Sequence, residues 1–290
     1  MKIMAWVAAL LVPWAAQAAP VLFHAHGHGL SFSADGAALL APSEQGLAVY
    51  EDAAWHEPES ANGGFSGFSA SERALYSSGH PLPGRKARGL LRSMDGARTW
   101  QPLALQGEAD FPLIAAGYRS GMIYILHVNG SATLPQPGIY ATSDEGKTWR
   151  RAQARGLAGE IHGLAAHPVE RAVLAVASAL GLYVSRDGGE SFRRFDRRGP
   201  VTAVAFDLDG KRLRYARALS SELIESALDG REPRIFGLPK LEGDYVTCLA
   251  QNPKDERALA FATRRRDVYL TTDGGAHWQR IWNSSKENEQ

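Results

Sequence analysis

Ser185-Arg186-Asp187-Gly188-Gly189-Glu190-Ser191-Phe192 is one of four related stretches in this chain. The others are Ser93-Met94-Asp95-Gly96-Ala97-Arg98-Thr99-Trp100, Ser143-Asp144-Glu145-Gly146-Lys147-Thr148-Trp149 and Thr271-Thr272-Asp273-Gly274-Gly275-Ala276-His277-Trp278. Each runs Ser/Thr, Asp, Gly, then Thr, Ser or His, then an aromatic. The closing aromatics Trp100, Trp149, Phe192 and Trp278 lie 49, 43 and 86 residues apart. The last gap is twice the others, so a degenerate copy is expected midway, and Asp229-Gly230 followed by Phe236 fills it. A sixth copy is expected before Trp100, where Asp52 and Trp55 stand. Self-similarity at such a period marks a repeat architecture.

Each repeat has the same strand grammar. In the fourth, Gly163-Leu-Ala-Ala-His-Pro168 runs into a turn, Ala172–Ser178 is rich in β-formers, Gly181–Ser185 follows, and Ser191–Phe195 closes the unit. The first repeat matches it with Gly29–Gly36, Ala38–Ala41, Gly46–Tyr50 and Ala54–Trp55. Short strands separated by Gly, Asp and Pro turns read as all-β. Four strands per unit of this length is a propeller blade. The expected fold is therefore an all-β, six-bladed β-propeller with four strands per blade. The Asp stretches would form hairpins between third and fourth strands, each carboxylate accepting turn N–H groups and each Gly supplying positive φ. The closing aromatic would bury against its own blade. Asp95, Asp144, Asp187 and Asp273 thus read as structural residues on the outer rim of separate blades.

The four stretches resemble the Asp-box, or BNR repeat, of sialidases, sortilin-type receptors and photosystem assembly propellers. With His28-Gly29-Leu30, Tyr76-Ser-Ser-Gly-His-Pro81 and Ala115-Ala-Gly-Tyr118, nearly the whole chain resembles bacterial exported BNR-repeat proteins described as glycosyl-hydrolase-like or sialidase-like. That resemblance implies a glycosidase. A second, to photosystem II stability factors, implies an assembly scaffold; those propellers have seven blades and an Arg-lined face, which this chain does not match.

The chain opens with Lys2, an apolar run from Ile3 to Ala16, and Ala16-Gln17-Ala18. This is the pattern of a secretory signal peptide, too short to span a bilayer. The expected organisation is residues 1–18 as signal and 19–290 as one propeller domain, periplasmic or secreted, with no membrane span. Without Lys2 the chain carries 31 basic and 31 acidic residues, which points away from nucleic acid. Arg193-Arg194, Arg197-Arg198 and Arg264-Arg265-Arg266 sit beside strand ends; they read as solvated surface, with an anionic docking patch as the alternative. Cys248 is the one cysteine, so no internal disulfide forms and burial as a small hydrophobe is expected. The protein is expected to be a monomer. Val21-Leu22-Phe23 could close the ring by joining the outer edge of blade six; simple end-to-end packing is the alternative.

Propeller ligand sites gather where inner strands converge. Registering those strands sets His28 of blade one level with His162 of blade four, and with Thr202 and Thr247 of blades five and six. Blades one and four are opposite in a ring of six. His24-Ala-His26-Gly-His28 places three imidazoles on one face of a strand. His80 ends a blade-two strand and His127 lies in blade three. Imidazole clusters suit Cu(II) or Zn(II). The expected metal set is His24, His26, His28, His162, His80 and His127, with copper favoured over zinc. His56 and His277 read as surface residues and His167 as structural. The principal expectation is an exported, non-catalytic propeller that binds a metal ion, small ligand or protein partner near its axis.

The alternative is a glycoside hydrolase with an altered site. Asp110, Glu160 and Asp244 precede inner strands and are its acidic candidates. Sialidases clamp a sugar carboxylate with three arginines, the first in an early Arg-Ile-Pro-type motif; here no Arg occurs between Ala19 and Glu72. The missing clamp weighs against sialidase activity.

Overall fold

A computed structural model of the protein describes residues 29–43, 46–56, 64–79, 86–218, 220 and 222–283. Residues 1–18, Val21–Phe23, His24, His26, His28 and His80 lie outside them. The described chain forms six four-stranded antiparallel sheets, each of four consecutive strands. These are the six expected blades, and their third and fourth blades show the order well. Blade three holds Leu113–Ala116, Ile123–His127, Gly138–Thr142 and Arg150–Arg151; blade four holds Ile161–Ala166, Leu174–Ser178, Gly181–Ser185 and Arg193–Asp196.

Sequence character changes from axis to edge for a physical reason. Inner strands such as Ile161–Ala166 and Val246–Gln251 are rich in Gly, Ala and Thr, since they crowd the axis. Second strands lie between neighbouring blades and are buried on both faces, as in Leu174–Ser178. Such strands read as continuous apolar runs rather than alternating ones. Outer strands are exposed and basic, as in Arg150–Arg151 and Arg193–Asp196, which discourages pairing with another chain.

The core is correspondingly divided among the blade interfaces. Leu90, Phe111, Ile114 and Ile125 fill the gap between blades two and three. Tyr124, Ile139, Leu174 and Val176 fill the next, and Ala175, Leu182, Phe206 and Leu213 the one after. Burying a Leu, Ile or Phe is worth about 1.5–3 kcal/mol, so blade-to-blade contact is the main adhesive of the ring.

The Asp turns sit between third and fourth strands, as expected. Asp187 Oδ1 accepts from Ser185 Oγ at 2.8 Å and from Ser191 N at 2.9 Å, while Ser185 Oγ accepts from Gly189 N at 2.8 Å. Asp95 and Asp144 repeat this set, and Asp273 does so with His277 replacing the Ser or Thr. In blade three the hydroxyl belongs to Thr142 rather than Ser143, one residue before the alignment by sequence.

Two sequence expectations need correction. The closing aromatics bury against the preceding blade, not solely their own. Trp100 packs on Phe65 of its own blade, with ring centroids at 4.6 Å, and joins Leu40, Leu47 and Val49 of blade one. Trp149 joins Leu90 and Leu103 of blade two, and Phe192 joins Ile139 and Ala152 of blade three. Second, Trp55 and Phe236 are not equivalents of these residues. Both lie inside outer strands, Trp55 opposite Tyr50 and Phe236 opposite Leu223.

The Asp-turn glycines face the same interface. Gly189 has φ of 92°, and a Cβ there would stand 2.8 Å from Ala152 Cβ of blade three. Gly146 and Gly275 make the same close approach to Ala104 and Phe236 of their preceding blades. Blade two has Ala97 at this position, with φ of 74°.

Among the described residues, the ring closes by end-to-end packing. Trp55 Nε1 donates to Ile281 O at 3.0 Å, and the Trp55 and Trp282 rings meet edge to face at 6.2 Å. Asn252 Nδ2 donates to Gly36 O at 2.8 Å. Leu30, Phe32 and Leu39 of blade one pack with Ala260 and Val268 of blade six.

Candidate functional site: the axial cavity

Inner strands carry a β-bulge near their start in blades two, four, five and six. A bulge redirects a side chain out of the alternating pattern. Here it turns polar groups sideways onto the next blade. Ser66 Oγ donates to Phe111 O at 3.3 Å, His162 Nδ1 to Val201 O at 3.0 Å, and Thr202 Oγ1 to Val246 O at 2.6 Å. The matched register of His162 and Thr202 is therefore a clasp between inner strands. His162 does this work and also lines the central cavity.

That cavity has a volume of about 770 Å³ and opens where the inner strands begin. Its apolar wall includes Leu113, Leu126, Val128, Ile161 and Val268. Its polar groups are Glu160, His127, His162, Tyr245, Arg264 and Arg266, with Thr202, Thr247 and Thr263. A smaller cavity of about 180 Å³ continues along the axis past Ala166, Phe206 and Gln251. The Asp turns join third strands at the ends remote from this opening, so they lie on the opposite face and at the edge.

His127 ends the second strand of blade three and is 1 % exposed. Its Nε2 donates to Leu134 O at 3.1 Å, and Nδ1 has no hydrogen-bond partner. Burial lowers its pKa, so the ring is neutral and Nδ1 presents a lone pair.

Of Asp110, Glu160 and Asp244, Glu160 alone is in the described lining of the cavity. Glu160 is exposed and lines the cavity; it is the cavity's one carboxylate among the described residues. Asp110 is half-buried ahead of blade three. Asp244 is buried and structural: it accepts from Tyr245 N at 2.8 Å and from Arg265 N at 3.1 Å. Arg264 N donates to Tyr245 O at 3.0 Å, and Arg266 N to Thr263 O at 2.9 Å. The hairpin carrying Arg264 and Arg266 is thus pinned at three successive backbone amides. Arg264 also stands 5.9 Å over the Tyr245 ring.

Among the described residues no three His, Cys, Asp or Glu side chains gather as a metal site. His127 and His162 line one cavity from adjacent blades. His167 is structural, its Nε2 donating to Gly210 O at 2.9 Å and its Nδ1 accepting from Glu170 N at 2.9 Å. His56 and His277 are exposed. Burial pushes the Cys248 thiol up to about 11. Sequence reasoning singled out Glu160, His127 and His162, but took Tyr245 for no site and left the Arg264–Arg266 run on the surface. The signal was present: this run directly follows Thr263, which ends the second strand of blade six as His127 ends that of blade three.

No protein-family model matches the chain, and no curated protein matches it in sequence. Among solved structures it is similar to the Niastella koreensis GH74 enzyme, with TM-score 0.56 and 13 % identity over 88 % of this chain. The chain spans 45 % of that enzyme's length. It is similar to a chain of the nidogen/laminin complex, with TM-score 0.61 and 12 % identity over 83 % of this chain and 91 % of that one. It is also similar to YCF48 bound to D1 peptide, with TM-score 0.53 and 18 % identity over 94 % of this chain and 85 % of that one. At these identities the likeness is one of fold: the chain is a six-bladed β-propeller.

Proposed function

We propose that this protein is an exported, non-catalytic propeller that binds a ligand in its axial cavity. The observation that carries this reading is the 770 Å³ cavity, lined by an apolar wall with a few fixed polar groups. Ligand pockets fall in this size range and have this make-up. The likeness in fold to a chain of the nidogen/laminin complex and to YCF48 bound to D1 peptide supports a binding role. Export rests on the Lys2-to-Ala18 signal pattern. No helix of the described chain is long and apolar enough to cross a membrane.

The glycosidase alternative, favoured by the GH74 likeness, lacks a second carboxylate. Two-carboxylate hydrolysis needs an acid and a partner about 5–10 Å apart, and Glu160 stands alone in the described lining. The metal form of the binding reading depends on the His24-x-His26-x-His28 run. Gly29, the residue after it, lines the cavity with His127 and His162.

The test uses N-phenyl-1-naphthylamine, a neutral apolar fluorophore, and panels of aryl-glycosides and sialosides. One saturable site, lost in Ile161→Trp, is expected, with no turnover. Turnover that falls in Glu160→Gln would overturn the non-catalytic reading. Absence of any cavity-dependent binding would remove the binding role.

A further inference from the structure

Two opposite charges of the axial cavity are left unmet by the fold. Glu160 of blade four and Arg264 of blade six both line it, and both residues are exposed. Among the described residues neither side chain makes an ion pair or a hydrogen bond, with the other or with any third group. Blade five, which brings Thr202 to the same lining, stands between them in the ring. Both are set on fixed backbone. Ala179 N donates to Glu160 O at 2.9 Å, and Arg264 N donates to Tyr245 O at 3.0 Å. The Arg264 guanidinium stands 5.9 Å over the Tyr245 ring, and Tyr245 is itself part of the lining. Charges offered from a fixed platform lower the ordering cost of binding.

His162 adds an acceptor two residues from Glu160. Its Nδ1 donates to Val201 O at 3.0 Å, which leaves the neutral ring with a lone pair on Nε2. The ring is half-buried, lines both the main cavity and its narrow continuation, and its Nε2 is not sealed from solvent. The blade-four wall therefore suits a positive group with N–H donors, and the blade-six wall a negative one. Leu113, Leu126, Ile161 and Val268 line the same space and suit apolar surface. A ligand that meets both walls carries its two charges at separate ends of an apolar body.

We propose that the axial cavity binds a short apolar peptide with free ends, its N-terminal ammonium held by Glu160 and His162 Nε2 and its C-terminal carboxylate held by Arg264. Three extended residues span about 10 Å, which separates the two charges. A guanidinium matches a carboxylate with two parallel bonds. A neutral sugar meets neither charge. The inference rests on the binding role proposed above and specifies its ligand.

The experiment titrates the tripeptide Leu-Ala-Leu into the purified full chain by calorimetry, in three forms: free ends, N-acetylated and C-amidated. The free form is expected to bind at one site, and each cap to weaken it about tenfold or more. Both penalties should shrink with added salt. Glu160→Gln should bring the free and acetylated forms within about threefold and leave the cost of amidation in place. Arg264→Gln should do the reverse, bringing the free and amidated forms together and leaving the cost of acetylation. Both substitutions fall on exposed residues, and thermal melts check that each variant is folded. Equal affinity for free and capped peptides, or no peptide binding while N-phenyl-1-naphthylamine still binds, would overturn the peptide inference and leave the binding role standing. Capping penalties that persist in both variants would place the charges elsewhere and overturn it as well. Binding of neither peptide nor fluorophore would remove both readings.

Discussion

The Asp turns of blades two, three, four and six and the inner-strand starts around the axis come from the same repeat, yet they diverge in opposite directions. At the rim, four turns keep one hydrogen-bond set almost atom for atom. At the axis, equivalent positions carry Ser66, His162, Thr202 and Thr247, so the residue changes round the ring and only the neighbouring blades five and six agree. Repetition serves a task common to all blades, attachment to a neighbour. Departure from it appears where the blades jointly face one space, because a ligand is not six-fold symmetric. Function in such a ring is to be sought where the repeat is broken.

Four measurements would break or sharpen that contrast. The largest effect concerns the His24-x-His26-x-His28 run that precedes the cavity residue Gly29. In a copper or zinc titration of the full chain, His24→Ala/His26→Ala/His28→Ala should abolish a tight site while leaving the melting temperature unchanged. Equal stoichiometry in the variant would dismiss the metal form of the binding role. At the rim, Gly189→Val should cost about 2–4 kcal/mol in urea unfolding, from positive φ and the collision with Ala152. Probe affinity of the folded fraction should be unaltered; a matching loss of affinity would show that rim and axis are coupled.

A smaller effect is expected from acid. Hydrogen bonds from Thr99, Thr148 and Ser191 hold Asp95, Asp144 and Asp187 at about 2, against an ordinary 3.8. Their contribution is therefore complete above about pH 4 and lost as pH falls toward 2. Melting temperature followed over that window should decline, and less steeply in Asp144→Asn/Asp187→Asn. An unchanged slope would mean these carboxylates are not what holds the turns. The smallest effect is Ala97→Gly, which relieves an alanine at φ of 74°. The gain should be ~0.5 kcal/mol, the left-handed penalty of Ala offset by the greater backbone entropy of Gly. A loss of stability would show that the Ala97 methyl group packs usefully.

Much of the fold was legible because its marks are local. Asp-Gly and a closing aromatic at a steady period reveal blade number without any tertiary knowledge. Legibility failed where position within a strand mattered. Trp55 and Phe236 keep the period but sit inside outer strands, since spacing cannot tell a residue before a strand from one three residues into it. Likewise Ser143 and Thr142 are both hydroxyls, and only the turn's geometry selects Thr142. Of the site, His162 emerged through register, although that register proved to be the bulge clasp. Arg264 and Arg266 did not emerge, because a basic run beside a strand end looks the same whether it faces solvent or an axis. Asp244 drew notice as an acid, and its partners proved to be the amides that hold that basic run in place.

The seam between the first and last blades has a consequence for how this molecule comes into being. Every described sheet is completed from consecutive strands, so each blade can form as its own stretch of chain is delivered. Local pairing of this kind favours rapid folding. The contact from Trp55 to Ile281 instead spans 226 positions and must wait for the final strand. Closure of the circle is then the last event of assembly and, under a pulling force applied at the two ends, the first to be undone.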